Sequence, residues 1–351
     1  MSPSSSEGNR WALVPAPKRD ELLSAWLCRC AAVHGQSLHC FAFEHLRARA
    51  LPYRDVDAFP PESLLEAIEQ GSGLESSAVR SMTLLPYREH LKSSAGKPEA
   101  LGSLLPLTHT ARAKFRNGQQ ACVQCLVEGR GYRRAWRLPF VVACDLHDAW
   151  LIDACPACDS PLDPKQNTDL RPTCAYCYVD WGVRSAREGP FFSGAFQVQQ
   201  WLLQAIEGSG IVEIDGAPVA LADALKGFAF LLRLDRRLGR AEATPQEQAP
   251  LRITQRMGLL QRLSDLLAAW PQSVLADCSR LDLPRNPFGG EDCPAWVLEA
   301  LSELREVRPH VRRTREDDDP VLAKLRLHRP ANWRSRYAHR LVRLAGRPRG
   351  R

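Results

Sequence analysis

At 351 residues the chain exceeds what one compact core usually fills, so two or three domains are expected. Its 44% hydrophobic and 25% charged content argues against global disorder, and no stretch approaches eighteen consecutive apolar residues, which argues against a membrane-spanning helix. The net charge of +7 is unevenly placed: residues 305–351 hold fifteen Lys or Arg against five Asp or Glu, about +10, which leaves about −3 for the rest.

In chain order, residues 1–14 lack the charged-then-apolar build of a secretory signal and are expected to be a disordered tail of a cytoplasmic protein. Residues 15–92 read as a helical domain. Asp20 can cap a helix whose apolar positions Leu22, Leu23, Trp26, Leu27, Cys30 and Ala31 recur at helical spacing and end near Gly35. Ser37 to Leu46 gives a second short helix. Pro61 to Gln70 gives a third, with Leu64, Leu65, Ala67 and Ile68 inward. The turn Gly71-Ser72-Gly73 leads from Leu74 into a fourth, through Val79 to Thr83. This is the outline of a helix-turn-helix, whose second helix would offer Glu75, Ser76, Ser77 and Arg80 to a DNA groove. One base on that face is little for a DNA reader, and a packing unit or protein-docking surface has the same outline.

Residues 93–118, rich in Ser, Gly and small side chains, read as a linker, and 119–185 as a tandem zinc-finger region. Residues 190–304 read as a helical domain, with apolar i, i+3, i+4 spacing from Phe196 to Ile206, Leu221 to Leu238, Leu251 to Trp270 and Pro294 to Val307. Leu281 to Asp292 is a Pro- and Gly-rich loop. Residues 305–351 form a basic segment with a last helix from Trp333 to Leu344. Its candidate DNA contacts are Arg312, Arg313, Arg326, Arg329, Arg334, Arg336, Arg340 and Arg343; a solvated charged face is the alternative. The fold class expected is mostly α: an N-terminal helix-turn-helix, tandem zinc-finger or zinc-ribbon motifs, and a C-terminal helical domain.

The strongest chemistry lies in four knuckles: Cys122-x2-Cys125, eighteen residues, Cys144-x2-His147, seven residues, Cys155-x2-Cys158, fifteen residues, Cys174-x2-Cys177. In a reducing cytosol such pairs hold metal rather than disulfides. Each knuckle presents two donors from one tight turn, and tetrahedral zinc needs two knuckles. Four knuckles therefore make two structural Zn²⁺ sites. Cys122, Cys125, Cys144 and His147 are expected to hold the first ion, and Cys155, Cys158, Cys174 and Cys177 the second. Cross-braced pairing fits the residue count too, and a four-sulfur site also suits iron. With four protein donors per ion no coordination position is left for an activated water, so no catalytic residue is assigned.

Other groups carry weaker signals. Arg130, Tyr132, Arg133, Arg134, Trp136 and Arg137 could clamp phosphates and stack bases; alternatively Trp136 and Tyr132 pack beneath the knuckle while the arginines stay solvated. Cys28, Cys30, His34, His39 and Cys40 suggest a third cluster, but Cys28 and Cys30 point to different helix faces and read better as core or surface thiols. Cys278 and Cys293 read as unpaired. Asp317, Asp318 and Asp319 could attract a metal ion or cap a helix at Pro320. There is no phosphate-cradling glycine loop and no nucleophile–base pair.

These residues resemble the TniQ family, the target-selection proteins of bacterial transposons. The opening helix, Glu21-Leu-Leu-Ser-Ala-Trp26-Leu-Cys-Arg29-Cys-Ala31, is similar to the family's E-S-x-x-S-W-L-x-R-x-A start, with Leu22 in place of its serine. The resemblance continues through the four knuckles, with Tyr132-Arg133 and Trp136-Arg137 between the first two, Leu151 after the second and Leu162 after the third, and covers roughly residues 15–185. It implies a non-catalytic adaptor that binds a chosen DNA target, directly as TnsD-like members do or by riding on a guide-RNA Cascade complex. Such an adaptor engages an AAA+ ATPase regulator and, through it, the transposase; a homodimer is compatible with that role. A zinc-stabilised transcription regulator reading an operator through residues 61–83 is the alternative function. A nuclease built on Asp317 to Asp319 is disfavoured because those carboxylates are contiguous rather than convergent.

Overall fold

In a computed structural model, residues 10–91, 101–102, 104–106, 118–162, 172–183, 193–238, 251–283, 293–302 and 304 are described. Helix α1 (Leu23–Val33) is central and almost wholly buried, since Leu23, Trp26, Leu27, Cys30 and Ala31 leave little of it polar. Its start differs from expectation. Asp20 has φ +59 and caps nothing in α1; its carboxylate turns away to residues 133–135, and Leu22 stands at the N-cap. Helix α2 (Leu38–Leu46) is capped as the sequence suggests, Ser37 Oγ accepting from Cys40 N at 3.2 Å.

Helices α3 (Glu62–Ser72) and α4 (Ser76–Ser81) are joined by a turn in which Gly73 adopts φ +71. Leu64, Leu65, Ile68 and Val79 face one apolar cluster with Trp26, Leu27 and Phe41. The N-terminal strand of chain closes this cluster. Trp11 N donates to Gly71 O at 2.8 Å, and the indole lies so close that a Cβ at Gly71 would sit 2.2 Å from Nε1. Glycine is therefore required there by contact rather than by backbone angle. A short helix α5 (Leu85–Leu91) follows and packs on the C-terminal helices.

Helix α6 (Val123–Val127) starts at Cys122, a 3-10 turn spans Arg134–Arg137, and β1 (Ala143–Cys144) pairs antiparallel with β2 (Ala149–Trp150). Ala121 and Ile152 exchange hydrogen bonds of 2.9 and 2.8 Å and extend this hairpin by one more bridge. Beyond residue 192 come α7 (Ser193–Glu207), β3 (Ile211–Ile214), β4 (Ala217–Ala220), α8 (Leu221–Arg237), α9 (Ile253–Ala268), α10 (Gln272–Arg280) and α11 (Ala295–Ala300). The β3–β4 hairpin and α10 are additions to the helical reading. Asp215 (φ +52) and Gly216 (φ +73) make the tight turn that two left-handed residues permit between strands.

The metal region and the C-terminal helices share one core, and all described residues lie in a compact unit, Met1–Arg305. Two buried polar side chains make the join. Gln199 of α7 accepts from Val142 N and Ala143 N (2.7 and 2.9 Å) and donates to Ala143 O (2.9 Å), mimicking a further strand beside β1. Arg256 of α9 donates to Pro139 O (2.8 Å), Gln120 Oε1 (3.0 Å) and Leu251 O (3.1 Å). Burial, opposed by the charge of Asp153, lowers its pKa to about 10, still high enough to stay charged at neutral pH. Asp153 Oδ2 accepts from Ile253 N at 2.7 Å, at the start of α9. Of the span expected as a linker, Leu101 and Leu105 are buried; Leu105 N donates to Arg137 O, and Leu105 O accepts from Arg137 Nε, both at 2.8 Å. The expected helix from Trp333 to Leu344 lies outside the described residues.

Candidate metal centres

Two groups of four donors each lie with all donor atoms within 4.8 Å of one another: Cys122, Cys125, Cys144 and His147, and Cys155, Cys158, Cys174 and Cys177. This is sequential grouping, first knuckle with second and third with fourth. In the first group, Cys122 and Cys125 flank the start of α6, Cys144 ends β1, and His147 stands in the turn before β2. His147 Nδ1 is 3.5, 3.3 and 3.5 Å from Cys122, Cys125 and Cys144 Sγ, and Cys125 Sγ is 3.6 Å from Cys144 Sγ. In the second group the Cys155–Cys177 and Cys158–Cys174 sulfur separations are both 3.7 Å.

These spacings decide the chemistry. A disulfide needs about 2.05 Å between sulfurs. A tetrahedron with metal–sulfur bonds of about 2.3 Å and a metal–nitrogen bond of about 2.0 Å has S–S edges of about 3.8 Å and S–N edges of about 3.5 Å. Both groups match the second geometry and exclude the first. Cys125 is in contact with the other thiols of its group. Its contacts with Cys122 and Cys144, together with burial, hold the Cys125 thiol far above its usual range, while the matching contacts draw Cys144 down. Three sulfurs this close cannot all be anionic unless a dication lies among them.

Backbone geometry repeats from knuckle to knuckle. The residue after the second donor is left-handed in three of them: Asp148 (φ +46), Asp159 (φ +57) and Tyr178 (φ +58). In the second centre the two halves are near copies. Asp159 N donates to Cys155 O at 2.9 Å and Tyr178 N to Cys174 O at 3.0 Å, while Ala157 N and Tyr176 N each approach the first sulfur of their knuckle at 3.4 Å. Such N–H groups stabilise thiolates.

The centres differ in setting. Cys122, Cys125 and Cys144 are buried in the main core, whereas Cys158 and Cys177 are exposed. His147 is oriented from behind: its Nε2 lies 2.9 Å from Glu128 Oε1, and Arg130 lies 2.5 Å from the other carboxylate oxygen. Arg130 and His147 hold the Glu128 carboxyl below its usual range. Fixing the far nitrogen of a metal-facing imidazole in this way sets its tautomer. Glu128→Ala is therefore expected to weaken metal retention at the first centre by about tenfold to a hundredfold. Competition with a chromophoric chelator, read against the unaltered second centre, measures it.

Of the arginines between the knuckles, Arg130 is exposed, whereas Arg133, Arg134 and Arg137 are engaged by carboxylates. Arg133 and Arg134 reach Asp20 (3.3 and 3.0 Å), and Arg133 also pairs with Asp145. Arg137, fully buried, pairs with Asp55 at 2.5 Å and with Asp57 at 3.5 Å. Tyr132 and Trp136 are buried beside them, ring centroids 6.1 Å apart. Among the described residues no third metal-binding group occurs around Cys28 to Cys40. The eight candidate DNA-contacting arginines from Arg312 to Arg343, and Asp317 to Asp319, lie outside the described residues.

Comparison with known families gives a match over the N-terminal part of the chain. The TniQ family model matches residues 12–151. Residues 12–151 are a TniQ domain. No curated protein matches the chain. The match runs from the N-terminal strap through α1 to the residue after β2, so the TniQ domain contains the whole first centre, while the second lies beyond it. The domain also ties the chain to DNA transposition.

Its opening motif now has a physical reading. Glu21, 1% exposed, receives both Arg29 Nε (2.8 Å) and Nη2 (2.7 Å), a bidentate pair across two turns of α1. Trp26 Nε1 donates to Pro15 O at 2.8 Å, which fastens the strap. Ser24 N and Oγ donate to the buried Asp57 at 2.8 and 2.7 Å, and Asp57 in turn faces Arg137. The knuckle loop is thereby bonded to the TniQ opening helix through one carboxylate. No helix among the described residues is long and apolar enough to cross a membrane.

Proposed function

We propose that this chain is a non-catalytic, zinc-containing adaptor in DNA transposition. In this reading it selects target DNA and recruits an AAA+ ATPase regulator, and through it the transposase, working in the cytoplasm at the nucleoid. The observation that carries the reading is a TniQ domain whose first four-donor group is built into the main core. A group completed by four protein donors leaves no position for a reacting water, so the ions, taken as Zn²⁺, act as staples. Thiolate-rich donor sets favour zinc or iron over magnesium and calcium. The basic segment 305–351 would grip DNA phosphates through Arg312, Arg313, Arg326, Arg329, Arg334, Arg336, Arg340 and Arg343.

Two measurements test it. Elemental analysis is expected to find two zinc ions per chain. DNA binding by the full chain is expected to fall about a thousandfold between about 50 and 200 mM salt if six or more phosphates are held. A flat salt profile would remove the direct grip on DNA, and nicking of DNA by the purified chain in Mg²⁺ would overturn the non-catalytic assignment. Support for an operator-reading regulator is weaker, because Arg80, the one base on the α4 face, is ion-paired with Glu62.

A further inference from the structure

Within the TniQ domain Arg29, Arg80, Arg130, Arg133, Arg134 and Arg137 are each tied to a carboxylate. Arg47 and Arg49 are exposed, and neither has an acidic partner among the described residues. Glu44, exposed on α2, is held by Gln36 Nε2 at 2.5 Å.

The backbone at Arg47 does not favour a residue with a side chain. Arg47 is the C-cap of α2 with φ +52, a left-handed conformation that costs a side-chain-bearing residue about 1 kcal/mol. After α1 and α3 the corresponding turns place Gly35 (φ +68) and Gly73 (φ +71) in that conformation. At the end of α2 a cation occupies the position where glycine would be more stable.

Exposed aromatic residues lie on the same stretch of chain. Arg49 Cζ lies over the Phe43 ring, 4.4 Å from its centroid, and Phe43 is 44% exposed. Tyr53, 56% exposed, ends the 3-10 turn Leu51–Tyr53 that packs on α2. Exposed rings close in sequence to guanidinium groups that no described carboxylate neutralises have the chemistry of a single-strand platform: cations for phosphates, and rings and a guanidinium plane for bases. A duplex keeps its bases stacked and could use the cations but not the rings.

We propose that the surface at the end of α2, formed by Phe43, Arg47, Arg49 and Tyr53, binds an unpaired nucleic-acid strand, Arg47 and Arg49 taking phosphates while Phe43 and Tyr53 stack bases. It acts separately from the segment 305–351.

The test uses the full metal-loaded chain and fluorescence anisotropy with a labelled single-stranded oligonucleotide and its duplex. Arg47→Gly combined with Arg49→Gln is expected to weaken single-strand binding about tenfold and to flatten the slope of log affinity against log salt by about 1.4, the value of two single-strand phosphate contacts. The thermal midpoint of that variant is expected to be no lower than that of the parent, because glycine relieves the left-handed position. Phe43→Ala and Tyr53→Ala are each expected to cost about tenfold on the single strand and little on the duplex. A charge-matched control, Lys226→Gln with Arg280→Gln, is expected to change neither. Arginine losses no larger than the control's would overturn the proposal. Equal losses of Phe43→Ala and Tyr53→Ala on single strand and duplex would overturn it too, marking a general phosphate surface. Changing Arg334, Arg336, Arg340 and Arg343 to glutamine leaves these differences in place, so the two DNA-contacting regions fail or succeed independently.

Discussion

Cys125→Ser is expected to abolish folding of the TniQ domain, whereas Cys177→Ser is expected to cost one metal ion and leave that domain standing. The two residues have the same chemistry and differ in what surrounds them. Cys125 is fully buried among Val141, Val142, Leu126 and Trp136 in the main core, and its knuckle joins β1 and β2 through the Ala121–Ile152 bridge. Structural zinc contributes on the order of 10 kcal/mol to the segment it folds, comparable with the whole stability of a domain. Losing one thiolate there also leaves two buried sulfurs and an imidazole without their cation. Cys177 is exposed and its knuckle lies outside the TniQ match, while its group's exposed ion pair, Asp159 with Arg252 at 3.0 Å, contributes little; the core contact of that group comes from Cys155 and Cys174 instead. Elemental analysis and near-ultraviolet circular dichroism of the tryptophans read the outcome. One metal with native aromatic signal is expected for Cys177→Ser; insoluble or metal-free chain is expected for Cys125→Ser. Equal behaviour of the two variants would show that the centres are not ranked as their burial suggests.

The donors were legible in the sequence because tetrahedral ligation by knuckles is a local demand: two residues between donors fix each pair, whatever the rest of the chain does. Helices α1, α2, α3, α7, α8 and α9 were legible for a similar reason, since apolar spacing reports the buried face. What escaped was every long-range polar contact. Gln199 and Arg256 sit in helical patterns as ordinary surface letters, yet they bond residues 56 and 117 positions away. Asp20 shows why such assignments fail: a carboxylate just before a helix is as good a cap as any, and nothing local reveals that its partner Arg134 is 114 residues on. The β3–β4 hairpin is a different case. Ile211-Val-Glu-Ile-Asp-Gly216 carries both the alternation and the Asp-Gly turn that specify a hairpin, so the signal was present and was outweighed by the helical periodicity on either side.

Arg137→Met is expected to cost about 3–5 kcal/mol, the scale for stripping one partner from a buried ion pair, while preserving most of the side-chain volume. The guanidinium bonds Asp55 at 2.5 Å and Leu105 O at 2.8 Å, and it is the cation nearest Asp57, which is itself fully buried. Burial pushes the Asp57 carboxyl above its usual range; Arg137 pulls it back, Asp55 adds to the rise, and the two Ser24 hydrogen bonds oppose it. The sign of the pH dependence follows. A folded-state pKa above the unfolded value of about 4 means that the folded protein holds the proton more tightly. The associated stability is complete below the unfolded value and is lost as pH rises through the folded one. Removing Arg137 raises the folded value further, so the deficit of the variant relative to its parent should widen as pH rises, compared at about pH 6 and about pH 8, where thiolate-held metal is retained. Chemical denaturation at both pH values measures this, and Asp57→Asn in the same background should flatten the dependence and recover about 1–3 kcal/mol, the usual size of coupling between contacting residues. A deficit independent of pH would place the cost of the substitution in lost packing against Leu105 rather than in the stranded Asp57 charge.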